Sequence, residues 1–200
     1  MANEQDLNTT HGSEHSGGSG GDNHIDGNTD LTAGLPTACF MCHTQADGLA
    51  GAEKAFDDNL GTNYVSANYP FDILWQTPGA FIGVEFLHPQ AIAGITLKAP
   101  SVSGPPAYNF MGMPAVFEIQ VSDDGIEWQT LDLVDHVHGP HYMPYESGEE
   151  RFIGIPEDLC PGRPYKFMRL AIHRTFGRVH NSNNNPVVYI NEMEVHPYIF

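Results

Sequence analysis

Basic side chains are scarce: eight Lys and Arg stand against 25 Asp and Glu, for a formal net charge of −17. A chain so acidic is repelled by nucleic-acid backbones and by anionic lipid, so neither is expected as a partner. Cysteine is scarce too, at three residues, which cannot form a fully paired disulfide framework. No apolar run approaches the roughly 20 residues needed to span a bilayer, so membrane insertion is not expected. The opening MANEQDLNTTHGSEH has neither the basic n-region nor the apolar h-region of a secretion signal, so ordinary secretion is not expected from it.

What is present divides the chain in two. Residues 1–34 form a polar stretch rich in Gly, Asn and His. Residues 1–30 alone hold six acidic side chains, six glycines and no Lys or Arg. Such a segment buries too little apolar surface to offset its ordering entropy and reads as a flexible arm, ordered only by a partner. Its His11, His15 and His24 could chelate a metal but read more simply as solvated side chains. The texture changes at Leu35, and residues 35–200 read as one domain, with 40% hydrophobic residues in the chain as a whole.

Within that domain, short apolar stretches alternate with Gly, Pro, Asn and Asp clusters. AFIGVEF (80–86), AIAGITL (91–97), AVFEIQVS (115–122), WQTLDLV (128–134), FMRLAIH (167–173) and VVYINEMEV (187–195) are enriched in β-branched and aromatic residues. In FEIQV, Phe117, Ile119 and Val121 should point one way and Glu118 and Gln120 the other. No segment has the length and 3.6 period of a substantial helix. SDDG (122–125) reads as a turn between two neighbouring strands. The expectation is an all-β, antiparallel sandwich or barrel.

Three phrases in order sharpen this expectation. AFDDNLGTNYVS (55–66) resembles the Asp-Gly-Asn-x-x-Thr-x-Trp-x-Ser of the coagulation factor 5/8 type C, or discoidin, family. FEIQVSDDGIEWQTL (117–131) is similar to its strand, Ser-x-Asp-Gly turn and Trp-x-x-Leu strand, and YKFMRLAI with VVYINEMEVHPY resembles its closing strands. The family includes galactose-binding-like carbohydrate-binding modules. The resemblance implies an eight-stranded, jelly-roll-like β-sandwich with both termini near one end. Two positions depart from the pattern: Asp58 stands where a Gly is usual and Tyr64 where a Trp is usual. Asp tolerates positive φ better than most residues, and Tyr can fill an apolar slot if its hydroxyl finds a partner.

The resemblance also implies a structural calcium. Its ligands by position would be the Asp57 carboxylate, the Asn59 carbonyl, Thr62 and the Glu192 carboxylate, with carbonyls from Lys54 and Asn191. A hard cation of that size takes about six to eight oxygens. Glu194, two residues on from Glu192, is the next candidate, and the plain alternative is that Asp57 and Asp58 only shape a turn.

Cys39-Phe-Met-Cys42-His43 spells the CxxCH of c-type haem attachment. The resemblance places it on the first strand, where residues three apart point to opposite faces and cannot both reach one haem. Haem is therefore not expected, and free thiols are preferred to zinc through Cys39, Cys42 and a histidine; Cys160 is also read as a free thiol.

Ligand recognition in this family uses loops at one end of the sandwich. The candidate loops are SANYPFD (66–72), SVSGPPAYNFMGM (101–113) and HRTFGRVHNSNNNP (173–186). Arg174, Arg178, His180, Asn181 and Asn183 supply donors for sugar hydroxyls, while Phe176, Tyr69, Tyr108 and Phe110 supply ring faces for the C–H side of a pyranose. The plain alternative is that the Asn and Gly make turns and the arginines balance acidic neighbours. Apolar membrane-docking spikes at Phe110, Met111 and Met113 would need basic surroundings that this chain lacks. Arg169 reads as a structural ion-pair residue, and His136, His138 and His141 as loop histidines rather than a metal cluster.

No nucleophile motif, phosphate-cradling loop or catalytic carboxylate pair is evident, so an enzyme is not expected. The preferred reading is a non-catalytic carbohydrate or cell-surface adhesion module, extracellular or on a particle surface, tethered to a larger assembly by its arm. The alternative is a structural or decorating subunit of a virus or phage particle that binds no sugar.

Overall fold

The computed structural model describes residues 29–42, 51–66, 80–100, 109–137, 144–156, 158–159, 162–177 and 187–198. Ten strands lie among them: β1 Phe40–Cys42, β2 Tyr64–Val65, β3 Ala80–Gln90, β4 Ile92–Lys98, β5 Pro114–Ser122, β6 Gln129–Asp135, β7 Glu150–Gly154, β8 Tyr165–Thr175, β9 Tyr189–Ile190 and β10 Glu192–Pro197. The described helices are three 3-10 turns, at Thr37–Cys39, Ala52–Ala55 and Asn109–Gly112. Strand order is β1-β3-β8-β5-β6 in one sheet, β10-β4-β7 in a second and β2-β9 in a short third, and every described pairing is antiparallel. This is the expected jelly-roll-like β-sandwich, with ten described strands where the resemblance implied eight.

The alternation read in β5 is the alternation that packs. Phe117, Ile119 and Val121 are fully buried, while Glu118 and Gln120 on the other face are partly exposed. Against them pack Met168 and Leu170 of β8, Ile95 and Leu97 of β4, and Met193 and Val195 of β10, all in one core. Full burial of each such side chain contributes about 1.5–3 kcal/mol, which holds the two larger sheets face to face. Gly83 of β3 sits opposite Arg169 of β8. A Cβ there would lie 2.7 Å from that of Arg169, so the missing side chain gives the arginine its place on the sheet.

The SDDG turn is closed by its own side chains. Ser122 Oγ accepts from Gly125 N at 2.9 Å, Asp124 Oδ1 accepts from Ile126 N and Glu127 N, and Gly125 takes φ of 73°.

Thr29 to Gly34, which the sequence reading put in the arm, lie against β10. Leu31 N donates to Val195 O at 2.8 Å, and Asp30 Oδ1 accepts from Val195 N at 3.0 Å. The Asp30 carboxylate thus stands in for a backbone carbonyl on the β10 edge. It also accepts from Thr32 Oγ1, and Thr32 is fully buried. Thr29 O lies 3.2 Å from His196 Nδ1, near the last residues of β10, and Tyr198 N donates to Ala91 O nearby. The described chain therefore enters and leaves by the same end.

The connections of interest gather at the other end. Phe176, just after β8, accepts a position beside Met113 before β5, with its N–H donating to Met113 O at 3.3 Å. Its ring meets those of His136, after β6, and Tyr145, before β7. The chain segments flanking β5, β6, β7 and β8 are thereby brought together at one pole.

Candidate functional site

The loop after Phe56 is built from the inside out. The 3-10 turn Ala52–Ala55 buries Ala52 and Ala55, and Phe56 stacks on Phe40 of β1 with ring centroids 4.5 Å apart. From that anchor Asp57 turns its carboxylate inward. It accepts from Asn59 N at 3.2 Å, lies 2.8 Å from Thr62 Oγ1 and receives Lys54 Nζ at 3.3 Å. Asn59 O accepts from Thr62 N at 2.9 Å and Asn59 Oδ1 from Gly61 N at 3.0 Å. Asp58 has φ of 51°, so the departure from Gly preserves the left-handed backbone of the pattern it replaces.

Asn191, just before β10, and Glu192, its first residue, close the site. The Asn191 side-chain amide donates to the backbone carbonyls of Thr62 and Leu60. Glu192 is 3% exposed, and neither its Oε2 nor Asn191 Oδ1 has a hydrogen-bond partner among the described residues. Burial, reinforced by the charges of Asp57 and Asp58, pushes the Glu192 carboxyl up to about 7, against the opposing Asp58 N–H and Lys98. The six residues expected to share a metal, Lys54, Asp57, Asn59, Thr62, Asn191 and Glu192, are thus joined in one structural unit. Glu194 instead holds Lys98 at 2.6 Å. Among the described residues no three His, Cys, Asp or Glu side chains converge as a metal cluster. A cation here would have to rely on hydroxyl, amide and backbone oxygens beside two carboxylates, the donor set a hard ion prefers.

Beside the site runs a cleft of about 560 Å³, walled by Asp30 and Gly34 of the docked segment and by Leu35, Phe40, Glu53, Lys54, Asp57, Asp58 and Glu192.

At the loop pole the expected recognition residues separate. Arg174 is exposed at the end of β8, and no described residue pairs with its guanidinium. Phe176, expected to offer an open ring face, is 7% exposed. Its ring stacks on His136 at 6.3 Å and meets Tyr145 edge-on at 5.8 Å, so packing claims the surface that a sugar would need. Phe110 falls in the turn Asn109–Gly112, but its side chain, like Tyr69, Tyr108, Arg178, His180, Asn181 and Asn183, lies outside the described residues. His138, His141 and Cys160 lie outside them too. Met113 is fully buried and Met111 packs on the core, which leaves neither as a membrane spike.

The sequence reading missed the cluster under this pole. Arg151 lies 4.0 Å over the Tyr145 ring and donates to Glu149. Burial, then Arg151, lowers the His136 pKa. PYESGEERF had no strand signal strong enough to draw attention, although Gly148 marks its turn with φ of 72°.

Elsewhere, Arg169 makes no carboxylate pair among the described residues, in place of the expected ion pair. Its Nε donates to Gln120 at 2.7 Å, and its guanidinium lies 3.9 Å from the Trp128 ring centroid and 5.1 Å from that of Phe81. Gln120 passes the contact on to Glu118, which also meets His173 at 2.9 Å. On the outward face of the five-stranded sheet Arg169, Gln120, Glu118 and His173 Nε2 are thus linked in one polar chain. Cys39 ends the turn Thr37–Cys39 and only Cys42 is on the strand; both pack against the core, and no disulfide joins them.

No protein-family model and no curated protein matches the chain by sequence. Solved structures do match in shape. A family 32 carbohydrate-binding module from a family 31 glycoside hydrolase of Clostridium perfringens aligns over 82% of this chain and 94% of its own, at 17% identity and a TM-score of 0.57. An F5/8 type C domain of a Bacteroides fragilis protein aligns over 83% and 96%, at 14% identity and 0.54. A second C. perfringens family 32 module, solved in complex with galactose, aligns over 80% and 96%, at 12% identity and 0.52. At such identities the likeness establishes the fold: that of F5/8 type C domains and family 32 carbohydrate-binding modules.

Proposed function

We propose that the protein is a non-catalytic glycan-binding module, in which loops at one pole of a rigid sandwich recognise a carbohydrate on a cell or particle surface. The observation that carries this reading is the gathering of the β5, β6, β7 and β8 connections at one pole, in a fold whose solved examples include a module in complex with galactose. Arg174 at that pole, exposed and without a partner among the described residues, offers a planar donor to sugar hydroxyls.

The reading includes a calcium ion. The Asp57 and Glu192 carboxylates, the Thr62 oxygen and carbonyls of Lys54, Asn59 and Asn191 would hold it, and it would supply the positive charge that two mutually repelling carboxylates and the unpartnered Glu192 Oε2 require. Its role is to fix the loop from Asp57 to Thr62 against β10.

The described chain starts at the pole opposite the loops, which suits a tether through residues 1–28 that leaves the recognition pole facing outward. Among the described residues no helix is long and apolar enough to cross a membrane.

Affinity electrophoresis of the full chain through gels containing galactose-bearing polysaccharides tests the reading. Retardation by one polysaccharide class and not by others supports it. Equal mobility in all of them would overturn it and favour the particle-subunit alternative.

A further inference from the structure

Asp58 is the one described non-glycine residue with positive φ, at a position where glycine would be free of strain. Its side chain is exposed, lines the cleft beside Asp57 and Glu192, and its carboxylate has no hydrogen bond or ion pair with a described residue. Its backbone N–H, by contrast, is turned to the Glu192 carboxylate. The cleft thus carries a carboxylate that neither builds the loop nor balances a cation of the protein. On the same wall stands Glu192, 3% exposed, with Oε2 unpartnered.

We propose that Asp58 tunes the cation site from outside: it adds a carboxylate charge to the cleft next to the oxygens of Asp57 and Glu192, raising affinity for the ion through its field. The inference rests on the calcium reading above and goes beyond it, because the resemblance that implies the ion puts an uncharged glycine at this position. Asp57 and Glu192 carry two negative charges, and one of them is already shared with Lys54 Nζ at 3.3 Å. With Asp58 the site presents one further negative charge, and ligand charge is among the variables by which proteins set calcium affinity. An extra charge acting across the open cleft should also matter more for a trivalent than for a divalent ion, and should be screened by salt.

The test uses the full chain stripped with a chelator and titrated calorimetrically with calcium chloride and with terbium chloride, as wild type, Asp58→Asn and Asp58→Gly. Asn keeps a side chain that tolerates positive φ, and Gly removes the strain, so both should fold. Expected is calcium binding weaker by about tenfold in both variants at low ionic strength, a larger loss for terbium, and a gap that closes in about 0.5 M salt. Calcium affinity of Asp58→Asn within about twofold of wild type, or a gap indifferent to salt, would overturn the inference and leave the calcium reading standing. A wild type that binds no calcium would overturn both.

Discussion

Asn191 donates its side-chain amide to the backbone carbonyl of Thr62, tying the residue before β10 to the loop that begins at Asp57. The two are 129 positions apart in sequence, so this contact is where the last strand fixes the candidate cation loop. Asn191 is 1% exposed, and its removal would leave two loop carbonyls without their donor. Asn191→Ala is expected to cost about 2 kcal/mol of stability, read from urea unfolding, and to remove most of the stabilisation by calcium.

The docked segment gives a prediction about the boundary of the domain. A chain starting at Leu35 loses the Leu31 and Asp30 contacts to Val195, the Thr29 contact to His196 and the burial of Thr32. It should be less stable by about 2 kcal/mol than a chain starting at Thr29. Equal melting temperatures would show that the β10 edge does not need its cover.

Arg169 holds the outer face of the large sheet. Arg169→Met keeps the apolar stem and loses the Trp128 stack and the Gln120 hydrogen bond. A loss of about 1–2 kcal/mol and a shift in tryptophan emission are expected.

Acid sensitivity should trace in part to Glu118. Burial favours its neutral form, but hydrogen bonds from Thr130, Gln120 and His173 outweigh burial and hold the carboxyl below the usual range. A folded pKa below the unfolded value contributes stability above about pH 4.3 that is lost as pH falls through the folded pKa. Glu118→Gln should therefore show a flatter decline of the urea midpoint between about pH 5 and pH 3. A decline as steep as wild type would place the acid-sensitive groups elsewhere.

Much of the fold could be read from the sequence because its signals are local. The β5 alternation, the Ser122–Gly125 turn and the positive φ of Asp58 each depend on a few neighbouring residues. What escaped depends on distant partners. Nothing near Asp30 says that its carboxylate will replace a carbonyl on β10, and the short strand β7 has only Ile153 buried. Phe176 illustrates the difficulty at the site: an aromatic in a polar loop suggests a sugar platform, yet His136 and Tyr145, 40 and 31 positions away in the chain, take its ring. Cys39 and Cys42 looked like opposite faces of one strand, but a 3-10 turn ends at Cys39 and both thiols meet the core.

That placement decides which variant can test recognition. Phe176→Ala should cost about 3–5 kcal/mol through lost packing, so any loss of binding would be confounded with loss of fold. Exposed Arg174 is the cleaner probe, and Arg174→Ala should leave the melting temperature unchanged.

The most direct measurement is a glycan array probed with the full chain and with Arg174→Ala, both in calcium. The account predicts that wild type binds one defined glycan class and that the equally stable variant binds it at least about tenfold more weakly. Silence of the folded wild type across the array, or undiminished binding by Arg174→Ala, would contradict it.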